Sequence, residues 1–328
     1  MLSIVFKKTG NPEDVLEIMD LPIPEPAENE VRVKVLASPV NPADILFIQG
    51  QYRIKPILPQ TGGLEGAGII DKVGSKVSLP VNTMITFRHK NVWAEYAIIP
   101  VEKTTVLPSD FPLEKACQFS LNPITAHALL EESTVQADEW LLLTAGNSAI
   151  AKIIIQLAKA RGIHTIAVVR NMNDIEELEA LGATKIVADN AGTVQNDINN
   201  IAGPTGVKCI LDAVGGQLIT ELIPTISAGG QLLSYGLMSK DNVNYHNSII
   251  IFKNITVKGF GIDDWLNRMD AEKLQLTYQS LIKTLADPAF KLPFAAKFSF
   301  EDFKQALALN ASPKKSGKII FEGIKGEK

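Results

Sequence analysis

One stretch, residues 140–170, constrains the fold more than any other part of the chain. It opens with an apolar run, Trp140–Thr144, which is typical of a strand buried on both faces of a parallel sheet. Small residues follow at 145–149, then an apolar helix that ends at Gly162, then a second buried strand, His164–Val169. This order predicts a βαβ unit. Because the start of such a helix exposes backbone N–H groups, we expect the turn to be a seat for a pyrophosphate.

The turn matches the dinucleotide-binding fingerprint only in part. The fingerprint has three glycines, whereas this turn has Gly146 followed by Ala149 and Ala151. Alanine is the smallest substitute, so close packing can survive; an ordinary turn without a ligand is the alternative. Arg170 ends the second strand, where a guanidinium suits a 2′-phosphate and an acidic residue would suit a 2′-hydroxyl. A solvated surface arginine is the alternative there, but together these features favour NADPH over NADH.

Composition and charge exclude several classes of protein. A chain of 328 residues, 46% of them hydrophobic, can bury a large core and is expected to form two domains. The net charge of -4, without a dense basic patch, argues against nucleic acid as a partner. Apolar runs stay below the roughly 18 residues of a membrane span, and the start of the chain lacks a signal-peptide layout. We therefore expect no membrane association and a cytoplasmic location. Cys117 and Cys209 are too far apart to suggest a disulfide framework or a Cys-rich zinc site.

The predicted fold class is α/β, with a Rossmann doubly wound parallel sheet and a second, β-rich and partly barrel-like domain. Residues 1–118 contain alternating strands separated by turns, which predict the first part of the β-rich domain. Residues 119–257 alternate between strands and helices, which favours a parallel sheet with right-handed crossovers and so a dinucleotide-binding domain. Residues 258–328 bury little surface alone, so we expect them to return to the β-rich domain. The elements that these patterns predict include the strands Gly66–Val73, Lys185–Ala188, Val207–Val214 and Asn254–Phe260 and a helix near Ala271–Ala286.

Four short strings are spread over nearly the whole chain: VNPAD at 40–44, GLEGAG at 63–68, LGA at 181–183 and DAVGG at 212–216. With the predicted domain order, they resemble the medium-chain dehydrogenase/reductase superfamily, which implies that the β-rich domain is GroES-like and catalytic. The zinc-dependent branch of that superfamily has a cysteine where Asn41 stands and a histidine where Leu64 stands. Because both ligands are missing, and because the histidines of this chain show no ligand spacing, we expect no metal site.

Within the zinc-free branch, the chain resembles the mitochondrial-type 2-enoyl thioester reductases. The strings that carry this likeness are NPAD at 41–44, IQGQY at 48–52 and IFK at 251–253. The resemblance implies that NADPH delivers hydride to the C=C bond of an α,β-unsaturated thioester or enone, and that Tyr52 is the catalytic acid. Asn41 is a second catalytic candidate, as a hydrogen-bonding partner of the nicotinamide ribose or of the substrate. The alternatives are aromatic packing for Tyr52 and turn formation before Pro42 for Asn41.

The cofactor candidates come from the phosphate turn, from the strand ends and from the terminal strand. Tyr235 and Met238 follow a strand end where the nicotinamide is expected, with sheet-edge packing as the alternative. Phe260 is expected to line the cofactor or acyl pocket, or else to belong to the core. Glu65 is either a buried acid near the cleft or a structural pairing partner. The full set of cofactor-binding candidates is Gly146, Asn147, Ser148, Ala149, Ile150, Arg170, Tyr235, Met238, Phe260 and Lys318.

Three functions are compatible with these residues. The first is an NADPH-dependent, zinc-independent reductase of enoyl thioesters, carried on CoA or acyl carrier protein, or of enones. The second is an NADPH:quinone oxidoreductase of the same fold. The third is a non-catalytic nucleotide-binding protein, which Ala149 and Ala151 favour. The expected partner is a small-molecule substrate (enoyl thioester, enone or quinone), and the resemblance implies a homodimer.

Overall fold

The computed structural model describes residues 1–312 and 317–323. The chain divides into two compact units: unit 1 is Met1–Leu121 with the described residues from Ser280 onward, and unit 2 is Asn122–Gln279. The sequence predicts domain boundaries after residues 118 and 257, whereas these units divide after residues 121 and 279. The second boundary lies later in the structure because residues beyond 257 pack within unit 2. Trp265, for example, lies edge-on to His127, with ring centroids 6.4 Å apart.

Unit 1 begins with a series of short strands and helices, numbered here along the chain. They are β1 (Leu2–Phe6), α1 (Pro12–Val15), β2 (Leu16–Asp20), β3 (Glu30–Pro39), α2 (Pro42–Ile48), β4 (Gln60–Thr61), β5 (Gly66–Val73), β6 (Met84–Phe87), β7 (Tyr96–Pro100), β8 (Thr104–Val106) and α3 (Leu113–Ala116).

Unit 2 then alternates between helices and strands, and the last described elements of the chain belong to unit 1. The elements of unit 2 are α4 (Asn122–Ser133), β9 (Trp140–Leu143), α5 (Ala149–Ala160), β10 (His164–Val169), α6 (Ile175–Leu181), β11 (Lys185–Ala188), α7 (Val194–Ala202), β12 (Val207–Asp212), α8 (Gly216–Leu222), β13 (Ile226–Ser234), α9 (Asn247–Lys253), β14 (Thr256–Gly259) and α10 (Ile262–Arg268). The boundary between the units falls within α11 (Ala271–Ala286), and β15 (Phe294–Phe298), α12 (Phe303–Ala311) and β16 (Lys318–Glu322) follow.

The described part of unit 1 is built from two sheets. The smaller has the strand order β2-β1-β4, and the larger has the order β15-β16-β3-β5-β6-β8, with β7 also paired to β3. The terminal strand β16 is antiparallel to β3, with Ile320 opposite Pro39, so distant parts of the chain share one sheet. A buried apolar cluster that includes Phe6, Phe47 and Phe321 fills the interior beside α2 and α12. This β-rich unit is the GroES-like domain that the sequence predicts.

Unit 2, all of which the structure describes, contains one six-stranded parallel sheet. Its strand order is β11-β10-β9-β12-β13-β14, and each neighbouring pair is parallel. Apolar strands such as β9 are buried because helices cover the sheet. The predicted Rossmann sheet is therefore confirmed. No helix among residues 1–312 and 317–323 is long and apolar enough to cross a membrane.

Several predicted elements differ from the observed ones at their ends. The strand predicted over 207–214 ends at Asp212, because the Asp212 carboxylate accepts hydrogen bonds from the Val214 and Gly215 N–H groups and turns the chain. The strand predicted to begin at Asn254 begins two residues later, because Asn254 has a left-handed φ of 51° that ends α9. The prediction also leaves out α2, which proves central to the site.

Candidate active site

The turn between β9 and α5 has the geometry of an anion-binding turn. Ser148 caps α5, and its Oγ accepts a hydrogen bond from the Ala151 N–H at 3.2 Å. Ala145 has a left-handed φ of 47°, which turns the chain sharply. Gly146 lies so close to β10 that an added Cβ would stand 2.9 Å from the Ala167 Cα. The N–H groups of Ala149 and Ile150, the first two residues of α5, have no partner within the helix and are available to donate to a phosphate.

The two alanines that replace fingerprint glycines have different surroundings. Ala151 is fully buried, so its methyl group packs inside unit 2 and does not face the open side of the turn. Ala149 and the following Ile150 are half-buried at the start of α5. The departure at 151 is therefore accommodated by the core of the unit.

A hydrogen-bond network behind the turn joins the ends of two strands. The Thr144 hydroxyl donates to Asp212 Oδ1 at 2.9 Å and accepts from the Ala213 N–H at 2.8 Å. The same Asp212 oxygen accepts from the N–H groups of Val214 and Gly215 at 2.8 and 3.0 Å. This network fixes the loops that follow β9 and β12 at the carboxyl edge of the sheet, where ligands bind in doubly wound folds.

Tyr235 lies at the same edge and contacts the turn. Its N–H donates to the Asp212 carbonyl oxygen at 2.8 Å, and its phenol shares a hydrogen bond with Ser148. Burial, followed by the Asp212 carboxylate, raises the pKa of Tyr235, while the bond to Ser148 lowers it in part. The phenol therefore stays protonated at neutral pH. The structure thus brings two predicted cofactor residues, Ser148 and Tyr235, into one group.

Arg170 stands exposed directly after β10. Among the residues that the structure describes, none is recorded in a hydrogen bond or ion pair with its guanidinium, which is available to an external anion. Asn147 of the turn donates through Nδ2 to Asp174 Oδ2 at 3.0 Å, just beyond Arg170 in the chain. Of the other candidates in unit 2, Met238 is 64% exposed and Phe260 is half-buried. Their contact with a cofactor remains a prediction.

In unit 1, the two predicted catalytic residues stand at opposite ends of α2. Asn41 directly precedes the helix, and Tyr52 follows its last turn, where the Tyr52 N–H donates to the Leu46 carbonyl oxygen at 3.0 Å. The Tyr52 ring packs against the apolar cluster that includes Ile48, and the Arg53 guanidinium carbon lies 5.8 Å from the ring centroid. The Tyr52 hydroxyl has no recorded hydrogen bond to a described residue. Packing therefore holds the ring and leaves the hydroxyl available for chemistry.

Asn41 is the centre of a buried polar cluster. Its Nδ2 donates to Glu65 Oε2 at 3.0 Å, and its Oδ1 accepts a hydrogen bond from Lys318 Nζ. Its backbone N–H donates to Asp44 Oδ2 at 2.6 Å, while Glu65 Oε1 accepts from the Leu121 N–H at 2.7 Å. Glu65 thus takes the pairing role that the sequence left as an alternative. Lys318 directs its ammonium at Asn41, and its predicted contact with a cofactor remains a prediction.

This cluster holds two carboxyl groups and one ammonium away from water. Burial raises the pKa of Asp44 from 3.8 to about 7, against the lowering effects of the Asn41 N–H and Lys318. Burial likewise raises the pKa of Glu65 from 4.5 to about 7, against the Asn41 side chain and Lys318. The Lys318 ammonium balances the charge of one carboxylate. Near neutral pH we therefore expect one of the two carboxyl groups, Asp44 or Glu65, to carry a proton.

The raised pKa values predict a stability effect of defined sign. A carboxyl whose pKa is higher in the folded state stabilises the fold below its unfolded pKa, and this contribution disappears as pH rises through the folded pKa. Asp44→Asn keeps an oxygen for the Asn41 N–H but removes the titration. Relative to the wild type, we expect its free energy of unfolding to rise by about 1–2 kcal/mol between about pH 5 and about pH 8, measured by urea denaturation. If the free energy of unfolding changes with pH in the same way in Asp44→Asn and in the wild type, this prediction is contradicted. The exposed Asp110→Asn is the control and should run parallel to the wild type.

Sequence reasoning missed several residues that organise these sites. Asp44 and Asp212 were part of recognised strings but were given no role. A carboxylate at the end of a buried strand, followed closely by two glycines, as at Asp212, is a signal that could have identified one of them. Asp174 and the buried Lys152 had no local signal, because their partners lie 27 and 25 residues away.

The residues that the structure describes contain no group of His, Cys, Asp and Glu side chains placed to hold a metal ion. At the positions where the zinc-dependent branch has ligands, Asn41 is engaged in the polar cluster and Leu64 is buried with the apolar residues around α2. Neither asparagine nor leucine supplies the nitrogen or thiolate ligand that zinc prefers.

A GroES-like unit and a Rossmann unit with an anion-binding turn define a two-domain oxidoreductase. Comparison with protein families agrees: the alcohol dehydrogenase GroES-like domain matches residues 27–109, and the zinc-binding dehydrogenase family matches residues 149–276. The chain belongs to the medium-chain dehydrogenase/reductase superfamily, as the sequence predicts.

Full-length relatives refine this assignment. The mitochondrial enoyl-[acyl-carrier-protein] reductase of Xenopus tropicalis is 32% identical over 97% of this chain and 94% of its own length. The Etr1p/Etr2p heterodimer of a mitochondrial 2-enoyl thioester reductase from Candida tropicalis matches with a TM-score of 0.84 and 26% identity, over 98% of this chain and 99% of that chain. The Escherichia coli quinone oxidoreductase complexed with NADPH has a TM-score of 0.89 and 24% identity, over 98% and 100% of the two chains, and so shares the fold.

Proposed function

We propose that this protein is an NADPH-dependent reductase of the C=C bond of 2-enoyl thioesters, acting without a metal ion. The observation that carries the proposal is Tyr52: a phenol tied to α2, with its ring packed and its hydroxyl without a recorded partner among the described residues. A reduction of this kind needs a proton donor for the α-carbon of the substrate, and a phenol can supply it. The curated relatives that carry the name of enoyl reductase, and match nearly the whole chain, support the same reaction.

The residues of unit 2 fit NADPH. The start of α5, with Ser148 and the close approach of Gly146 to β10, is suited to the pyrophosphate. The exposed Arg170 is suited to the 2′-phosphate, and Tyr235 offers a protonated phenol beside Ser148. When bound, NADPH supplies the hydride for the β-carbon of the substrate. Asn147, Ile150, Met238, Phe260 and Lys318 remain further cofactor-binding proposals.

In unit 1, the residues around α2 perform the remaining steps. Tyr52 donates its proton to the α-carbon, and the Arg53 guanidinium carbon lies 5.8 Å from the centroid of its ring. Asn41 is held rigidly by Glu65 and Lys318, so we assign it an orienting role toward the substrate or the nicotinamide ribose. A rigid partner of this kind lowers the entropy cost of reaching the reactive geometry.

The test is NADPH oxidation by the purified protein with crotonyl-CoA and with a quinone, under the same conditions. We expect kcat/KM for crotonyl-CoA to exceed that for the quinone by about tenfold or more, since a site with a placed proton donor favours the substrate that needs it. The reverse preference would establish the quinone oxidoreductase alternative. Saturable NADPH binding without turnover of either substrate would establish the nucleotide-binding alternative.

We also propose that the protein is a homodimer and that it acts in the cytoplasm. The edge strand β14 and the neighbouring α9 leave large apolar side chains uncovered: Val257 is 45% exposed, Ile251 68% and Phe252 84%. Light scattering of the purified protein should give twice the chain mass, and a monomer would contradict the dimer. The curated relatives are named as mitochondrial proteins, so cell fractionation decides the compartment.

A further inference from the structure

The short segment that carries Arg170 is held at both of its ends. Arg170 directly follows β10, which is paired on one side with β9 and on the other with β11. Beyond the strand, the Asp189 N–H donates to the Val169 carbonyl oxygen at 2.7 Å. At the other end, Asp174 accepts the hydrogen bond from Asn147 of the phosphate turn. The residues between these anchors are exposed, so the anchors determine where the guanidinium can reach.

A second contact fixes α6, the helix that begins directly after this segment. Lys152 of α5 is 1% exposed, and its Nζ lies 2.7 Å from Oε2 of Glu177 in the first turn of α6. Lys152 stands one residue after Ala151, whose N–H closes the Ser148 cap. The same four residues of chain, 174–177, are therefore tied to the phosphate turn by Asp174 and to the first turn of α5 by Glu177.

The Lys152–Glu177 contact also changes the charge near the segment that carries Arg170. Asp174, Glu176 and Glu177 place three carboxylates beside the segment in which Arg170 is the cation. An anion bound to Arg170 would be repelled by these groups, and a buried ammonium beside Glu177 offsets part of that repulsion. A buried ion pair contributes little net stability compared with an apolar pair. The main effect of the Lys152–Glu177 pair is therefore expected on a phosphate bound nearby rather than on the stability of the fold.

We propose that Lys152 is a positioning residue for NADPH: by pairing with Glu177 it fixes α6 and offsets its negative charge, so that Arg170 can bind the 2′-phosphate. This inference rests on the proposed cofactor. It assigns selectivity for NADPH over NADH partly to Lys152, a buried residue whose ion-pair partner is Glu177.

The test is the dissociation constant of NADPH and of NADH, measured by calorimetry without substrate. We expect Lys152→Met to weaken NADPH binding about five- to tenfold and to change NADH binding less than about twofold, because only NADPH brings the added anion. The double variant Lys152→Met/Glu177→Leu also removes the Glu177 carboxylate, whose charge repels the phosphate, and should recover at least half of the lost affinity on a logarithmic scale. Lys159→Met, an exposed lysine in the last turn of the same helix, is the matched control and should leave both constants unchanged.

Three results would overturn the proposal. Equal weakening of NADPH and NADH in Lys152→Met would show a general structural role, and unchanged NADPH binding would show no role. A wild-type protein that binds NADPH no better than NADH would overturn both this inference and the cofactor proposal. Thermal unfolding of each variant accompanies the titrations. If Lys152→Met fails to fold, the double variant Lys152→Met/Glu177→Leu is measured in its place, because an apolar pair leaves no unpaired charge at these two positions. Loss of NADPH selectivity in the double variant would count against the charge-offset role of Lys152. Retained NADPH selectivity in the double variant would support that role.

Discussion

Replacing Tyr52 by phenylalanine should lower kcat for crotonyl-CoA reduction by at least about tenfold, while the NADPH dissociation constant stays unchanged. The reason is that the Tyr52 ring packs against the apolar cluster beside α2, whereas its hydroxyl has no recorded hydrogen bond to a described residue. The substitution therefore keeps the packing and removes only the proton donor. Stopped-flow measurement of NADPH oxidation, with calorimetry for NADPH binding, separates the two effects.

A matched control is available in the same unit. Tyr96 also lies under an arginine, with the Arg32 guanidinium carbon 5.7 Å from its ring centroid, but it belongs to β7 and has no predicted role in the reaction. Tyr96→Phe should leave kcat within about twofold of the wild type. If Tyr52→Phe behaves like Tyr96→Phe, then Tyr52 is a packing residue and another group supplies the proton.

Replacing Arg170 by leucine should weaken NADPH binding by about 10- to 100-fold and leave NADH binding nearly unchanged. A hydrogen bond to a charged group contributes about 1.5–3 kcal/mol, which corresponds to this range of dissociation constants. Only NADPH carries the 2′-phosphate that the guanidinium is proposed to bind. Titration with each coenzyme, followed by fluorescence, measures the ratio directly.

The control for this prediction removes a cation at the opposite edge of the same sheet. Lys185 is exposed at the start of β11, where it pairs with Ile166 of β10, and Lys185→Leu should change neither affinity. Loss of binding of both NADPH and NADH in Arg170→Leu would show that the substitution damages the fold. Unchanged affinity for both NADPH and NADH would show that Arg170 is a solvated surface arginine, which is the alternative that the sequence left open.

Local sequence patterns predicted the elements whose ends are set by neighbouring residues. The strands His164–Val169, Lys185–Ala188 and Gly66–Val73 and the helix Ala271–Ala286 have the predicted bounds. Each is an apolar or amphipathic run with clear breakers nearby, so no distant contact is needed to define it. The Rossmann topology follows from the regular alternation of such elements.

The sequence named candidate residues for the site but not their contacts. Ser148 and Arg170 were named because they stand at a recognisable turn and a strand end, and Tyr52 was named from the family resemblance; their roles remain predictions. The bond from Lys318 to Asn41 joins residues 277 positions apart, so only the pairing of β16 with β3 reveals it. The helix α2 was missed because it is short, and its position depends on the burial of Phe47 and Ile48 rather than on a long amphipathic pattern.

The most direct test of the proposed reaction is the fate of a labelled hydride. The protein is incubated with crotonyl-CoA and NADPH that carries deuterium at its transferable position, and the product is analysed by mass spectrometry and NMR. We predict butyryl-CoA with deuterium at the β-carbon and a solvent-derived proton at the α-carbon, formed at a much lower rate by Tyr52→Phe. Consumption of NADPH without a saturated thioester, or deuterium absent from the β-carbon, would contradict the enoyl reductase assignment.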